Sequence, residues 1–297
     1  MYIPLENRGL IKIDGPDARD YLQGLVSQDM TRVSPTHAVY SAFLTPQGKF
    51  LYDFFCCEID GALMLDCEAE RRSDFFKRLS MYKLRSDVTL SDVTADHQVF
   101  AVLDDLSALG LGNERGQSTP FGGGAAYVDP RLAAMGARVV LPTGSTALQD
   151  AGQTPGTVED YEFVRITQGL ADGSRDMAVD KALLLENGFE ELDGVSFTKG
   201  CFMGQELTAR TRYRGLVKKR LLPVAIDGPV PAAGSTLEVD GREVGEMRTS
   251  IGNAGLALIR LDQLHDGASF TCGDTTLTPN IPDWLVFQEK DKSGDVN

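Results

Sequence analysis

The feature that most restricts the fold is a run of short strand-like segments after Gly215. The segments lie at 219–226, 235–239, 242–250, 255–261 and 275–279, and no helical periodicity separates them. Turn dipeptides such as Asp227-Gly228 and Asp240-Gly241 stand between them, because these residue types tolerate the backbone angles of tight turns. Regular short strands without helices are typical of a small barrel or sandwich. We therefore predict a C-terminal β-barrel over residues 216–288 and a disordered polar tail over 289–297.

Residues 1–215 differ, because strand patterns there alternate with helical ones. Asp60-Gly61 predicts a tight hairpin between the apolar segments 50–59 and 62–67. Thr157-x-x-Asp160 resembles a capping box that opens a helix. The Gly-rich and polar stretch 110–124 predicts a loop. We expect an α+β core over 1–215, in two lobes with a boundary near 88–98.

Composition excludes several classes of protein. The net charge of −14 over 297 residues argues against nucleic-acid binding, which needs a positive field. No window approaches the roughly 18 apolar residues of a membrane span. The first residues show neither a secretory signal pattern nor an Arg-rich transit segment, which predicts a cytoplasmic protein. The five cysteines include no Cys-x-x-Cys pair and the three histidines are isolated, so we expect no metal site or disulfide framework.

Positive charge is concentrated in one segment, residues 199–220. It holds seven basic residues and one acid, Glu206, so its net charge is +6 and the rest of the chain carries −20. One interpretation is an anion site that meets a carboxylate, a phosphate or an acidic partner with arginine side chains. The other is salt bridging between this segment and the acidic remainder of the chain.

The same segment contains a candidate reactive thiol. Cys201 lies two residues after Lys199 and between Gly200 and Gly204. A neighbouring cation stabilises the thiolate, which is the nucleophilic and metal-binding form of cysteine. The alternative is a buried cysteine in a tight loop.

Three further side chains are candidates for ligand binding. Asp53 stands inside an apolar strand pattern, where a carboxylate must be hydrogen-bonded, paired or functional. Tyr161 and Arg165 stand four residues apart on one helical face, where they can stack on and clamp a flat anionic ligand. The alternatives are an exposed strand face for Asp53 and ordinary packing for the other two.

The segment Lys199-Gly200-Cys201-Phe202-x-Gly204-Gln205-Glu206 resembles the signature of the YgfZ-type folate-binding proteins. These are tetrahydrofolate-dependent iron–sulfur maturation proteins related to the T-protein of the glycine cleavage system. Phe202 stands where tyrosine is more usual. The similarity also includes residues 9–24 with Asp29, residues 47–49 with Asp53, and residues 165–169, so it covers most of 8–215.

The resemblance implies an aminomethyltransferase-like, folate-binding core of α+β lobes around a central cavity, followed by a small β-barrel. It implies tetrahydrofolate as the cofactor and Cys201 and Asp53 as the chemically active residues. The residues that it implies for cofactor binding are Asp53, Tyr161, Arg165, Lys199 and Gln205. It further implies a monomer whose partners are A-type iron–sulfur carrier proteins and [4Fe–4S] client enzymes.

Three functions remain open. In the first, the chain is a tetrahydrofolate-binding accessory factor for assembly or repair of [4Fe–4S] clusters, with Cys201 as the working thiol. In the second, it is a folate-dependent aminomethyl or one-carbon transferase that uses Asp53. In the third, it regulates a partner through the basic face, where Arg212 and Arg214 lie. The cysteine motif favours the first over the second.

Overall fold

The computed structural model describes residues 1–286, and two antiparallel sheets form its core. The first sheet has the spatial order β3-β4-β5-β2-β6, and the second has the order β1-β7-β10-β9-β8. The strands of the first are β2 (Arg8–Asp14), β3 (Val39–Leu44), β4 (Phe50–Ile59), β5 (Ala62–Glu68) and β6 (Thr89–Asp92). Those of the second are β1 (Tyr2–Pro4), β7 (His97–Val102), β8 (Ser118–Phe121), β9 (Gly124–Val128) and β10 (Ala137–Pro142).

A closed barrel follows the two sheets. Its strands are β11 (Lys219–Asp227), β12 (Thr236–Val239), β13 (Arg242–Ile251), β14 (Ala254–Arg260), β15 (Phe270–Cys272) and β16 (Thr275–Pro279). They close in the order β11-β14-β13-β12-β15-β16, with antiparallel pairing. The predicted tail at 289–297 lies outside the described residues.

Short helices connect and cover the sheets. The α-helices are α1 (Ala18–Gln23), α2 (Arg72–Tyr82), α3 (Ala147–Asp150), α4 (Val158–Thr167), α5 (Gly173–Asp176) and α6 (Gln205–Tyr213). Single 3-10 turns lie at Met30–Arg32, Ser107–Leu109, Ala133–Met135, Leu184–Asn187 and Leu261–Gln263. Within residues 1–286, no helix has both the length and the apolar character needed to cross a membrane.

Strand β4 occupies the centre of the molecule because both of its faces are buried. Successive side chains of a strand point to opposite faces. Accordingly, Phe54 packs with Phe75 of α2 in one core cluster, and Phe55 packs with Tyr40 in the other. This second cluster continues across to the second sheet through Tyr127. A polar residue on the same face as Phe55 therefore has very little access to water.

Several local predictions are confirmed and one is wrong. Asp60 and Gly61 form the hairpin turn with φ values of 50° and 82°. Thr157 and Asp160 form the reciprocal capping box of α4. The predicted loop 110–124 is wrong, because β8 lies within it and pairs with β9. Strand β8 is an edge strand of the second sheet, and its pairing with β9 orders this stretch.

Candidate functional site

A buried set of ion pairs joins the two sheets, and we call it the arginine cluster (Arg8, Asp66, Asp129, Arg131 and Arg138). Asp66 Oδ1 accepts a hydrogen bond from Arg8 Nε at 2.6 Å, and its Oδ2 accepts one from Arg138 Nη2 at 2.6 Å. Arg131 and Asp129 form a second pair, with Nη2 to Oδ2 at 2.9 Å. All five residues are buried. Buried charges persist only when they are paired in this way, so the cluster fixes how the sheets face each other.

The ring of Phe55 lies beneath these guanidinium groups. The Arg138 guanidinium carbon lies 3.9 Å from the ring centroid, and that of Arg131 lies 4.7 Å from it. Cation–π contacts of this kind strengthen where water is excluded. The Arg8 guanidinium carbon lies 5.7 Å from the same centroid, so this ring contacts all three arginines of the cluster.

Asp53 lies beside the arginine cluster on β4 and is 4% exposed. Its Oδ2 accepts a hydrogen bond from the Tyr40 hydroxyl at 2.8 Å. Within residues 1–286, no N–H or O–H group donates to the other oxygen, Oδ1. Burial raises the pKa of Asp53 above its ordinary value, although Arg8 and the Tyr40 hydrogen bond oppose this. The site thus keeps a buried carboxylate oxygen that is free to accept a hydrogen bond.

Helix α5 packs closely against that oxygen. Gly173, at the start of α5, has φ +48°, and a Cβ atom there would stand 3.3 Å from Asp53 Oδ1. The same Cβ would stand 2.9 Å from Oε2 of Glu68. The glycine therefore lets the backbone approach two carboxylates closely. Asp53 Oδ1 is an acceptor without a donor among the described residues, and this chemistry fits an N–H group of the reduced pterin of tetrahydrofolate.

The structure does not bring the other predicted folate contacts to this space as free groups. Tyr161 is buried, and its hydroxyl accepts a hydrogen bond from Arg138 at 3.3 Å. Arg165 is completely buried, and its guanidinium donates to Glu162, to Asp176 at 2.7 Å and to the Leu170 carbonyl at 2.6 Å. The guanidinium of Arg165 is thus fully occupied inside the protein.

The cysteine motif forms a second, exposed site. All five cysteines lie within the described residues: Cys56, Cys57 and Cys67 are buried, Cys272 is half-buried, and Cys201 is exposed. The motif continues from Cys201 through Phe202, which is buried, into α6. Gln205 is the first residue of α6 and is half-buried. The sequence interpretation of Cys201 as a buried thiol is therefore excluded.

Lys199 holds this loop on the body of the protein. Its ammonium group donates hydrogen bonds to the carbonyl oxygens of Val26 and Gln28, both at 2.7 Å. It also lies 5.4 Å from the ring centroid of Phe202. Burial lowers the pKa of Lys199 to about 8, with Asp29 opposing the shift. These bonds direct the cation toward backbone carbonyls, so its evident role is to anchor the loop.

Two glycines join the cysteine motif to the turn before β4. Gly48 has φ +75°, and a Cβ atom there would stand 2.7 Å from the Gly204 carbonyl oxygen. Gly204 has φ +80°, and its own Cβ would stand 2.8 Å from the Gly48 Cα. Side chains at these positions would overlap backbone, so the close approach requires glycine at both. Two of the segments that carry the family resemblance, 47–49 and 199–206, are therefore in direct contact.

The cations of the basic segment 199–220 include some that are ion-paired and others that are exposed. Arg212 pairs with Glu190 at 2.5 Å, and Arg220, in β11, pairs with Glu191 at 2.7 Å. Arg210, Arg214 and Lys218 are exposed, and within residues 1–286 no carboxylate pairs with them. The salt-bridging interpretation thus applies to Arg212 and Arg220, and the anion site stays a prediction for the exposed cations.

Two antiparallel sheets followed by a closed six-stranded barrel define an aminomethyltransferase-like fold, and this fold carries an exposed cysteine. Residues 4–104 match the GCVT N-terminal domain family, and residues 218–287 match the CAF17 C-terminal beta-barrel domain family. The chain superposes on the glycine cleavage system aminomethyltransferase T from Bartonella henselae with a TM-score of 0.77 and 16% identity. That comparison covers 96% of this chain and 86% of the other and shows a common fold. The predicted fold class is confirmed.

Curated relatives narrow this class. The chain is 35% identical over 306 residues to the mitochondrial iron–sulfur cluster assembly factor IBA57 of Mus musculus, and 36% identical over 306 residues to that of Homo sapiens. Each comparison covers 94% of this chain and 84% of the relative. The chain therefore belongs to the family of IBA57-type iron–sulfur cluster assembly factors.

The relatives also correct two expectations. They carry the name IBA57, so the comparisons support this related family and not specifically the YgfZ-type proteins. Their names place them in mitochondria, which contradicts the prediction of a cytoplasmic protein. The prediction had depended on the absence of a transit-like pattern in the first residues. That absence was not sufficient to predict the compartment.

Sequence reasoning did not identify the arginine cluster or Tyr40. Arg8, Asp66 and Arg138 are separated by 58 and 72 residues along the chain. They meet because β2 and β5 are neighbours in the first sheet and β10 of the second sheet lies against them. Tyr40 lies in an apolar strand, where its hydroxyl gave no signal. Arg138 is a charged residue in the otherwise apolar strand β10, and this is the one sequence feature that indicates the arginine cluster.

Proposed function

We propose that this protein is a tetrahydrofolate-binding accessory factor for assembly or repair of [4Fe–4S] clusters in client enzymes, with Cys201 as the working thiol. The observation that carries the proposal is the exposure of Cys201 on an anchored loop while the other cysteines are buried or half-buried. A thiol that serves a partner must be accessible and must have a fixed position. The names of the relatives support cluster maturation as the process.

In this proposal Cys201 acts by ligand exchange at iron. The thiol loses its proton, and the resulting thiolate binds an iron atom of a cluster as another thiolate leaves that atom. One protein thiolate is too few to hold a cluster, which ordinarily needs about four ligands. The cluster is thus cargo that a partner provides, and A-type iron–sulfur carriers are the partner class that we propose.

Asp53 would hold the cofactor. Its Oδ1, to which no group of the described residues donates, would accept an N–H of the reduced pterin. Tetrahydrofolate supplies, when bound, a carrier for one-carbon units. Tyr40 fixes the orientation of the carboxylate through its hydrogen bond to Oδ2.

The two sites are separate. Cys201 lies three residues before Gly204, which contacts Gly48, and Asp53 lies five residues further along the chain from Gly48. Asp53 is buried, whereas Cys201 is exposed. The proposal therefore assigns folate to Asp53 and the cluster to the thiol.

A second candidate function is a folate-dependent aminomethyl transferase, and the free, buried oxygen of Asp53 favours it. Such an enzyme would need Asp53 for chemistry and would not need Cys201. The two functions thus differ in which residue is indispensable.

The experiment measures the activity of a [4Fe–4S] client enzyme in cells that lack this protein. Rescue is compared for wild type, Cys201→Ala, Asp53→Asn and Cys272→Ala, the last being a matched control because Cys272 is half-buried in the barrel. We expect rescue by wild type and Cys272→Ala, and none by Cys201→Ala. Full rescue by Cys201→Ala with none by Asp53→Asn would replace the proposal with the transferase.

A further inference from the structure

The surface next to Cys201 has a composition that is unusual for this acidic chain. Arg210 and Tyr213 stand three residues apart on α6, and Arg214 is the C-terminal cap of this helix, so the three lie at its C-terminal end. Leu216 and Lys218 follow directly after the helix. We call these five residues the α6 face. Tyr213 is 70% exposed and Leu216 is 43% exposed.

The charges of the α6 face are not used within the described part of the chain. Arg212 on the same helix has Glu190 as its partner, whereas Arg210, Arg214 and Lys218 have none within residues 1–286. The rest of the chain carries −20 and nevertheless leaves these three cations free. An anionic partner for these three cations must therefore come from outside the described residues.

The apolar members of the face indicate what kind of anion it meets. Small anions are held in concave sites, whereas this is the outer side of a helix. Tyrosine and arginine are the residue types enriched in the energetic centres of protein interfaces. An exposed tyrosine and leucine between three cations fit a protein surface that offers carboxylates around an apolar centre.

The α6 face lies a short distance along the chain from the Cys201 thiol. Three residues separate Cys201 from the start of α6, and a helix of nine residues is about 13 Å long. A standard interface covers about 800 Å² on each partner, which is enough to include both. A partner seated on α6 therefore reaches the thiol.

We propose that the α6 face is the docking surface for an acidic protein partner, which it seats so that the partner's cluster meets Cys201. This inference rests on the proposed function, because it assigns the partner of the same thiol. It adds the chemistry of that partner, an acidic rim around an apolar patch, and the residues that recognise it.

The test measures binding of a purified A-type carrier, without its cluster, to the full chain at low and physiological salt. We expect the triple variant Arg210→Glu, Arg214→Glu, Lys218→Glu to bind at least thirtyfold more weakly and to lose most of the salt dependence. The milder pair Arg210→Gln, Arg214→Gln should weaken binding about fivefold, and Tyr213→Ser about tenfold. Lys77→Glu is the matched control, since Lys77 is an exposed cation on α2, and it should stay within twofold.

Three outcomes would overturn the inference. The first is a triple variant that binds the carrier within twofold of wild type. The second is a wild-type dimer that the triple variant loses, because the face would then meet a second copy of this chain. The third is a preference for tetrahydrofolate pentaglutamate over the monoglutamate that the triple variant loses while it keeps carrier binding, because the face would then hold the folate tail.

Failure of the inference is distinguishable from failure of the proposed function. If Cys201→Ala abolishes client maturation while the triple variant still binds the carrier, the thiol assignment stands and the docking surface is wrong. If Cys201→Ala rescues clients fully, the proposed function is wrong whatever the binding data show.

Discussion

The arginine cluster and the α6 face use the same side-chain chemistry in opposite ways. In the cluster, Arg8 and Arg138 share the carboxylate of Asp66, and water is excluded. On α6, Arg210 and Arg214 are exposed and have no such partner among the described residues. A buried guanidinium whose donors are occupied contributes to one fixed structure. An exposed one without a partner contributes little to stability and remains available for binding.

The same difference distinguishes the two residues that the family resemblance implies as chemically active, Asp53 and Cys201. Asp53 lies on the sealed side, at the edge of the cluster, and Cys201 lies on the open side, at the entry to α6. We therefore expect substitutions on the sealed side to change the free energy of unfolding, and substitutions on the open side to change interactions with partners. The following predictions test that division.

The largest effect is expected at Asp66. Asp66→Asn removes the charge that neutralises Arg8 and Arg138, and breaking a buried pair in this way costs about 3–5 kcal/mol. Urea denaturation measures the loss. Asp92→Asn is the control, because its pair with Arg72 is exposed and is worth at most about 1 kcal/mol. Equal losses in the two variants would contradict the structural role of the cluster.

The next effect is expected at Lys199. Lys199→Met leaves the carbonyl oxygens of Val26 and Gln28 without their donor, which costs about 1–3 kcal/mol. Release of the loop should also change the rate at which a thiol reagent labels Cys201 in the folded protein several-fold. Lys218→Met, which removes an unpaired cation, should leave this rate within twofold.

The Lys199 effect should also depend on pH. Its pKa is about 8 in the folded protein, below the ordinary value of 10.5, because burial disfavours the charge. The unfolded chain therefore binds more protons between these values, and wild-type stability rises with pH across that window relative to Lys199→Met. A gap between wild type and variant that stays constant from pH 7 to 10 would contradict the buried position of the ammonium group.

A smaller effect of opposite sign is expected at Asp53. Burial raises its pKa above the ordinary value of 3.8, so the ionised form costs stability at neutral pH. Asp53→Asn should raise the melting temperature at pH 7 by about 2–4 °C, which corresponds to about 1 kcal/mol.

The gain from Asp53→Asn should shrink as the pH falls toward 3.8, because the folded wild-type carboxyl takes up its proton above the pH at which the unfolded one does. Tyr40→Phe serves as the control, since it removes the hydroxyl donor and should lower stability. A destabilised Asn variant at pH 7 would mean that Asp53 is held as a structural anion by Arg8.

The smallest effect is expected at Arg212. Arg212→Gln removes a partly exposed pair with Glu190, which is worth at most about 1 kcal/mol. Carrier binding should stay within twofold, whereas Arg214→Gln should weaken it, because only Arg214 has a charge that no residue of the described chain neutralises. Similar binding losses in both variants would remove the distinction between paired and unpaired cations on α6.

The sequence predicted the fold where the signal is local. The Asp60-Gly61 hairpin, the capping box of α4 and the barrel strands depend on residues a few positions apart, and all are present. Helix α6 was not predicted, because its buried positions are Thr208 and Thr211 and its N-terminal cap is a glycine without a side chain. Strand β15 was missed because it has only three residues.

The candidate site was predictable in its motif and not in its contacts. Cys201 stood out through neighbouring glycines and cations, and Asp53 through its apolar surroundings. The partner of Asp53 and the occupation of Arg165 depend on side chains that other elements bring in, at separations that no periodicity records. The anchoring bonds of Lys199 cross 173 and 171 residues.

The contact of Gly48 with Gly204 has a consequence for how the two motifs tolerate change. Because each position excludes a Cβ on account of the other's backbone, one alanine already forces the turn and the loop apart. A second alanine then meets a contact that is already lost. The double variant should therefore lose clearly less free energy of unfolding than the sum of the two single variants. The two motifs are energetically coupled although they lie far apart along the chain.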